Sequence, residues 1–296
     1  MLEWNSDSEM LAYGIIYLSL SASQIPMFCL VILAVHMKHR QKPGLTYKLM
    51  NLTLMFQFAQ TLGHFITSPL LLFPEFQRFT VIIGIIGAFM FSCYDAELPT
   101  MALLAVCRVF TFAKIIKPGQ TPLVVKVFLV CFYSILSFIF FHSSVHTTVT
   151  FAIPAWHFVP FPYSHVLRDF NLYLTLFSLV TAYTSYVTIV YMICVRKRDS
   201  MSVKSRRNEM SIMVQYTIIV GYTTATMIFW RNADPNSVGE EAAVNISWIT
   251  SAYMYPILMF ICNKSIRDKC LLLLGLQNCK FCCVLSSTTA PDSRRF

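Results

Sequence analysis

Hydrophobic residues dominate seven long stretches of the chain, and short polar or basic runs separate these stretches. The seven segments cover residues 11–37, 45–73, 80–112, 123–145, 170–195, 211–230 and 242–262. A helix needs about 20 mostly apolar residues to cross the hydrocarbon core of a membrane, and each segment reaches that length. The pattern therefore predicts an all-α membrane protein, folded as a bundle of seven transmembrane helices.

A shorter pattern follows the seventh segment. Between residues 264 and 276, apolar positions such as Ile266 and Cys270 lie on the side opposite Lys264 and Arg267. This spacing predicts an amphipathic helix that lies flat in the membrane interface. We therefore divide the chain into an extracellular N-terminus (1–10), the seven-helix domain (11–262), the interfacial helix (263–276) and a cytoplasmic tail (277–296).

The tail begins with a group of cysteines close to the predicted membrane surface. They are Cys279, Cys282 and Cys283, and Lys280 lies among them. Cysteines that follow an amphipathic helix at a membrane are candidates for S-palmitoylation.

The composition supports a membrane location and excludes most other classes. Hydrophobic residues make up 56% of the 296 residues and charged residues only 12%, whereas a soluble domain carries roughly 25% charged residues. The net charge is +9, from 23 Lys and Arg against 14 Asp and Glu. In a soluble protein this excess would suggest a nucleic-acid partner.

The positions of the basic residues give the charge a different meaning. Twenty of the 23 lie at or after the C-terminal ends of the first, third, fifth and seventh segments, and only Arg78, Arg168 and Arg231 lie on the other side. Because Lys and Arg near helix ends stay in the cytoplasm, the N-terminus is expected outside and the C-terminus inside. The charge thus indicates orientation and contact with the lipid bilayer, and nucleic acid is not an expected partner.

Several local motifs occur in a fixed order along the segments. They are Tyr47-Lys48-Leu49-Met50, Leu103-Leu104-Ala105-Val106-Cys107-Arg108, Phe161-Pro162-Tyr163 with Asn171 and Tyr173, Gln215, Tyr255-Pro256-Ile257-Leu258, and Asn263-Lys264-Ser265-Ile266-Arg267. In this order and spacing, over residues 12–270, the chain resembles the class T serpentine chemoreceptors of nematodes. These form a branch of the rhodopsin-like seven-helix receptors.

The resemblance implies a G-protein-coupled chemosensory receptor, olfactory or gustatory, in the plasma membrane or cilium of a sensory neuron. It implies a small-molecule ligand, a heterotrimeric G protein, pairing with itself or related receptors, and neither a cofactor nor an enzymatic activity. Arg108 and Cys107 would serve activation at the end of segment three, with Tyr255 and Pro256 in segment seven. The chain departs from the family at Cys107, where Asn is usual, and at Gln57, where an acid is common.

Two acidic residues lie deep inside segment three. At about 1.5 Å per residue, Asp95 and Glu97 lie roughly 16–20 Å from Arg108, near the middle of the membrane. A carboxylate there needs a partner, a proton or a wet cavity. Because two residues along a helix differ by about 200° in direction, the two side chains cannot face one site. We expect Glu97 to form a buried ion or proton site with Gln57 and Ser251 nearby.

The outer halves of the predicted helices carry aromatic and methionine side chains that suit small apolar or volatile ligands. The candidates for a ligand pocket are Met90, Tyr94, Tyr183, Tyr222, Met227 and Trp248. Most aromatic residues in such a chain pack helices together or face lipid, so each candidate also has this structural interpretation.

Two other functions stay open at this point. His142 and His146 share one helical face, and His157 and His165 follow in the next loop. A seven-helix membrane hydrolase could bind a metal through such histidines. Alternatively, a transporter or channel could use Asp95 and Glu97 as a proton path.

Overall fold

The structure is a computed structural model that describes residues 7–41, 44–113, 115–116, 120–152, 154–159, 164–195, 203–234 and 237–276. Its helices are α1 (Asp7–Gln41), α2 (Leu45–Thr67), α3 (Pro69–Leu72), α4 (Thr80–Phe112), α5 (Leu123–Val145), α6 (Ser164–Val195), α7 (Val203–Asn232), α8 (Val238–Cys262) and α9 (Lys264–Leu273). A short 3-10 helix spans Pro74–Arg78, and two strands form a hairpin, β1 (Val149–Ala152) and β2 (Ala155–Phe158).

The described residues form an almost entirely helical protein of membrane type. Five of the helices, α1, α4, α5, α6 and α8, are long and apolar enough to cross a membrane. The expectation of an all-α membrane protein is confirmed at this level. The hairpin between α5 and α6 is the departure from it, and the sequence pattern did not predict these strands.

The helix ends differ from the predicted segments in ways that local chemistry explains. Helix α2 ends at Thr67 rather than at residue 73, because Pro69 lacks a backbone N–H and begins a new short helix. Helix α8 begins four residues before the apolar stretch. Its N-cap is Ser237, whose hydroxyl accepts a hydrogen bond from the Glu240 backbone N–H at 3.4 Å.

Helix α1 also extends past its apolar stretch, and it begins at Asp7. Residues 7–10, which we assigned to the extracellular N-terminus, are therefore part of the first helix. Polar residues at a helix end continue the backbone hydrogen bonds without needing to be buried, so the apolar pattern underestimates the length of the helix.

Helix α4 lies at the centre of the bundle. It packs against α2, α5 and α6 and also touches strand β1. In its most apolar stretch 61% of the residues are buried, whereas the corresponding value for α5 is 11%. The acidic residues of α4 thus lie inside the protein, while α5 presents most of its apolar surface to the surroundings.

Helix α9 occupies the place of the predicted interfacial helix. The side chain of Asn263 caps it by accepting a hydrogen bond from the Ile266 backbone N–H at 3.3 Å. Ile266 and Cys270 are buried against the bundle, and burial raises the pKa of the Cys270 thiol to about 11. Leu273 and Leu274 are exposed on the outer side. The three candidate palmitoylation cysteines, Cys279, Cys282 and Cys283, lie outside the described residues, and their modification stays a prediction.

Candidate functional site

The hairpin covers one end of the helix bundle. Trp156 of β2 packs against Gly87 of α4, where an added Cβ would overlap the indole ring. The hydroxyl of Tyr17 lies 3.2 Å from the carbonyl oxygens of Pro154, in the hairpin turn, and of Ala242 in α8. The hairpin therefore packs closely on α4, because Gly87 leaves room for the Trp156 ring. The Tyr17 hydroxyl of α1 links it to α1 and α8.

A cavity of about 170 Å³ lies beneath this hairpin. Its walls come from α4, α6, α7 and α8, and β2 covers it. Large aromatic and sulfur-containing side chains dominate the walls: Phe91, Tyr94, Trp156, Met227, Trp230 and Trp248. A concave, mostly apolar cavity with several aromatic side chains in its walls is typical of sites that bind small molecules.

A few polar groups interrupt the aromatic walls. Nε2 of His157 on β2 lies 3.3 Å from Oε1 of Glu241 on α8, which forms an ion pair when the imidazole is protonated. Asn171 of α6 also lines the cavity. These groups can orient a ligand, whereas the aromatic walls supply most of the contact area.

Trp248 connects the cavity to a buried hydrogen-bond network. Its indole Nε1 donates to the side-chain oxygen of Gln60 at 2.9 Å. Nε2 of Gln60 donates to one carboxylate oxygen of Glu97 at 2.8 Å, and Nε2 of Gln57 donates to the other at 2.7 Å. Both oxygens of Glu97 are therefore satisfied by amides of α2, and a wall residue of the cavity is two hydrogen bonds from this carboxyl group.

Asp95 faces a different neighbour. Its carboxylate accepts a hydrogen bond from the side-chain nitrogen of Asn171 on α6. Glu97 is bonded to α2, so the predicted divergence of the two acids is confirmed. Gln57 contacts Glu97 as expected, and Ser251 lies in the wall of the cavity. The role of Glu97 as an ion or proton site stays a prediction.

Three of the six predicted pocket residues line the cavity, namely Tyr94, Met227 and Trp248. The structure places the other three elsewhere. Met90 is fully buried against Gly63 of α2. Tyr183 is 38% exposed beside Thr224, and the hydroxyl of Tyr222 donates to the backbone oxygen of Ser247 at 3.3 Å. Their aromatic or apolar character therefore serves packing, which sequence alone does not separate from ligand contact.

Arg108 lies in a cluster of tyrosines one turn before the end of α4. Its side chain is 6% exposed, and its guanidinium carbon lies 5.0 Å from the centre of the Tyr216 ring. Tyr186 stacks on Tyr216 from α6, and the hydroxyls of Tyr216 and Tyr255 are 2.7 Å apart. We call these four residues, Arg108, Tyr186, Tyr216 and Tyr255, the arginine–tyrosine cluster.

The arginine is thus held by an aromatic face, a favourable arrangement for a partly desolvated cation. Two of its guanidinium nitrogens, Nε and Nη1, have no hydrogen-bond partner among the described residues. Cys107 is buried beside it, and Pro256 lies within α8 directly after Tyr255. The residues that the sequence predicts to serve activation therefore lie together: Arg108 and Tyr255 belong to the arginine–tyrosine cluster, and Cys107 and Pro256 are next to it in the chain.

The sequence did not single out several residues that complete these sites. Gln60 joins Trp248 to Glu97, while Tyr186 and Tyr216 surround Arg108. An available signal was the polarity of Gln60 itself, because an amide within a membrane-buried stretch must find a partner. The two tyrosines gave no such signal, because aromatic residues make up 15% of the chain and these two do not stand out among them.

The histidines do not gather into one group. The rings of His142 and His146 lie 4.6 Å apart, whereas His157 pairs with Glu241 and His165 is exposed. Among the residues that the structure describes, no group of three or more His, Cys, Asp or Glu side chains is close enough to hold a metal ion.

No known protein-family model matches the chain, and no curated protein is significantly similar to it. Its function is therefore inferred from its own geometry.

Proposed function

We propose that this protein is a seven-helix, G-protein-coupled chemosensory receptor, similar to the class T serpentine receptors of nematodes. It detects a small molecule in the aromatic cavity beneath the hairpin. It then signals to a heterotrimeric G protein at the opposite end of the bundle. Its location is the plasma membrane, including the ciliary membrane of a sensory neuron.

The observation that carries this proposal is that the same four helices build both ends. Helices α4, α6, α7 and α8 wall the cavity, and they also supply the arginine–tyrosine cluster. On α4, Tyr94 and Arg108 are 14 residues apart, which corresponds to about 21 Å along the helix. A change in the packing of these helices around a ligand would therefore reach the cluster without any further element.

The membrane topology of the proposal uses seven crossings. Five helices have the required length and apolar character. The polar side chains that lower the hydropathy of α2, including Gln57, Gln60 and His64, are buried in the bundle and do not face lipid. Helix α7 joins a basic first part to an apolar second part. With α2 and α7 as the remaining crossings, 20 of the 23 basic residues lie on the cytoplasmic side.

Activation follows from the contact between Arg108 and Tyr216. In the resting arrangement this cation–π contact and the Tyr216–Tyr255 hydrogen bond hold α7 against α4 and α8. A ligand that fits the cavity better when α7 has moved outward shifts the population towards that arrangement. Arg108 is then released to meet the G protein, beside the basic loops that the sequence predicts at residues 114–126 and 196–207.

The two rival functions have less support in the geometry. A proton path through both acids would need them to share a neighbour, yet their hydrogen-bond partners lie on α6 for Asp95 and on α2 for Glu97. A metal-dependent hydrolase would need its histidines in one place, and His157 is instead paired with Glu241. Neither rival explains why one set of helices forms both the cavity and the arginine–tyrosine cluster.

The direct test is nucleotide exchange on purified G proteins by the protein in lipid nanodiscs, with a panel of small molecules. We expect at least one panel compound to accelerate exchange, and Arg108→Ala to abolish the acceleration. Arg40→Ala, an exposed arginine at the end of α1 on the same predicted membrane face and outside both basic loops, is the matched control and should retain it. Transport of a panel compound into proteoliposomes without any G protein would contradict the receptor and favour the transporter.

A further inference from the structure

We infer that the cavity beneath the hairpin takes a small organic cation, a protonated or quaternary amine. This inference deepens the proposed receptor function, because it names the chemical class of the ligand for the same cavity. The aromatic walls alone suit apolar ligands as well as cations. The choice between these classes depends on the charged and polar groups that interrupt the walls.

The first observation is the number and placement of aromatic rings. Five of them, Phe91, Tyr94, Trp156, Trp230 and Trp248, come from α4, β2, α7 and α8 and so line different sides of the cavity. The ring of Trp248 lies 5.1 Å from that of Phe91 and 5.9 Å from that of Tyr94. The negative faces of tryptophan and tyrosine rings attract a cation, and several rings together form the usual cage for an alkylated ammonium group.

The second observation is the charge of the walls. Glu241 contributes a carboxylate whose side chain is only 12% exposed, and none of the described residues that line the cavity is Lys or Arg. An anionic ligand would be repelled by Glu241. A neutral apolar ligand would cover the Glu241–His157 pair and remove the water that still reaches it without offering a polar partner, which is costly. A cation avoids both penalties.

The third observation is the direction of the wall hydrogen bonds. The side-chain nitrogen of Asn171 donates one of its two N–H groups to Asp95, so Asn171 has its carbonyl oxygen and one N–H left to offer. The indole N–H of Trp248 is likewise committed to Gln60. The wall also keeps acceptors for a ligand that brings donors or positive charge: the carbonyl oxygen of Asn171 and the side-chain oxygen of Asn245, which like the Asn245 side-chain nitrogen has no partner among the described residues.

His157 completes the site. Its imidazole lies 3.3 Å from the Glu241 carboxylate, and its side chain is 36% exposed. When its imidazole is protonated, His157 supplies a cation of the protein's own at this carboxylate, attached to the hairpin rather than to a helix. An ammonium ligand that reaches Glu241 takes its place, and His157 is exposed enough to turn away.

The test compares two probes of nearly the same shape. Choline carries a trimethylammonium group, and 3,3-dimethyl-1-butanol carries a neutral tert-butyl group in its place. Binding of each to the protein in nanodiscs is measured by tryptophan fluorescence and by the rise in unfolding temperature. We expect choline to bind at least ten times more tightly than the alcohol.

Two variants then assign the charge that is responsible. Glu241→Gln should reduce choline affinity about tenfold or more and leave the affinity for the alcohol unchanged. Glu240→Gln is the matched control, because Glu240 is exposed, accepts a hydrogen bond from the Asp234 backbone N–H at 2.8 Å, and does not belong to the cavity wall. It should bind both probes like the unmodified protein. A thermal unfolding transition like that of the unmodified protein shows that each variant folds.

The possible outcomes separate this inference from the receptor proposal. Equal or tighter binding of the alcohol, binding of neither probe, or loss of choline affinity in Glu240→Gln as large as in Glu241→Gln would each overturn the inference. None of these results touches the exchange assay, which tests the receptor. Choline binding without any effect on nucleotide exchange would uphold the cation site and count against the receptor.

Discussion

Single residues inside the bundle are held in place by hydrogen bonds that reach between distant parts of the chain. Glu97 accepts from Gln57 and Gln60, and Asp95 accepts from Asn171. Each carboxylate is thereby compensated for its removal from water, which would otherwise be costly. The polar interior is therefore a set of matched pairs between helices, and its stability depends on keeping donors and acceptors balanced.

The balance around Glu97 gives a stability prediction. Glu97→Ala leaves two buried amide donors without an acceptor, at a cost of about 1–3 kcal/mol for each. Glu97→Gln should cost much less. Rotation of the Gln57 amide offers its oxygen, which is unpartnered among the described residues, to the new N–H group. Thermal unfolding in nanodiscs should show a clearly larger loss for alanine. Equal losses for the two variants would contradict the network.

At this scale the sequence predicted directions better than partners. The spacing of Asp95 and Glu97 requires them to point apart, and they do. It could not identify Gln60 or Asn171 as partners, because these come from other helices and contact depends on how the helices pack. The same limit explains why the prediction for Met90, Tyr183 and Tyr222 was wrong. Their side chains suit a ligand pocket chemically, but the packing of the helices places them outside the cavity wall.

Among the elements, the long helices follow directly from the apolar segments, and the hairpin does not. The apolar stretches had to form helices because only helices satisfy their own backbone groups in lipid. Strands β1 and β2 have four residues each, on either side of a turn that includes Pro154. Such short strands carry too few positions for an alternating pattern to be recognised. Their structure depends on the surface of α4 beneath them.

The contact between the hairpin and α4 can be tested at a glycine. Gly87→Ala places a methyl group against the Trp156 ring, and such overpacking typically costs about 1–3 kcal/mol. Gly221→Ala in α7 is the matched control, because an added Cβ there meets open space. It should be neutral or stabilise its helix by up to about 1 kcal/mol.

Both glycine variants are compared by thermal unfolding and by hydrogen exchange of the strand amides. We expect Gly87→Ala alone to lower the unfolding temperature and to speed exchange in residues 149–158. If both variants behaved alike, the close approach of Trp156 to α4 would not be holding the hairpin.

For the molecule as a whole, the central claim is that two sites are coupled. The cavity and the arginine–tyrosine cluster share α4, α6, α7 and α8, and about four helical turns separate them. Coupling of this kind is reciprocal, because a G protein that is favoured by the bound ligand must in turn favour that ligand. Reciprocity makes the claim measurable at the cavity itself.

The most direct measurement is the affinity of a panel compound that binds the cavity, determined in nanodiscs with and without nucleotide-free G protein. We expect the G protein to tighten binding about 5- to 150-fold, the usual range of allosteric coupling. Addition of a non-hydrolysable GTP analogue should reverse the effect, and Arg108→Ala should remove it. An affinity that stays the same with and without every class of G protein would contradict the account.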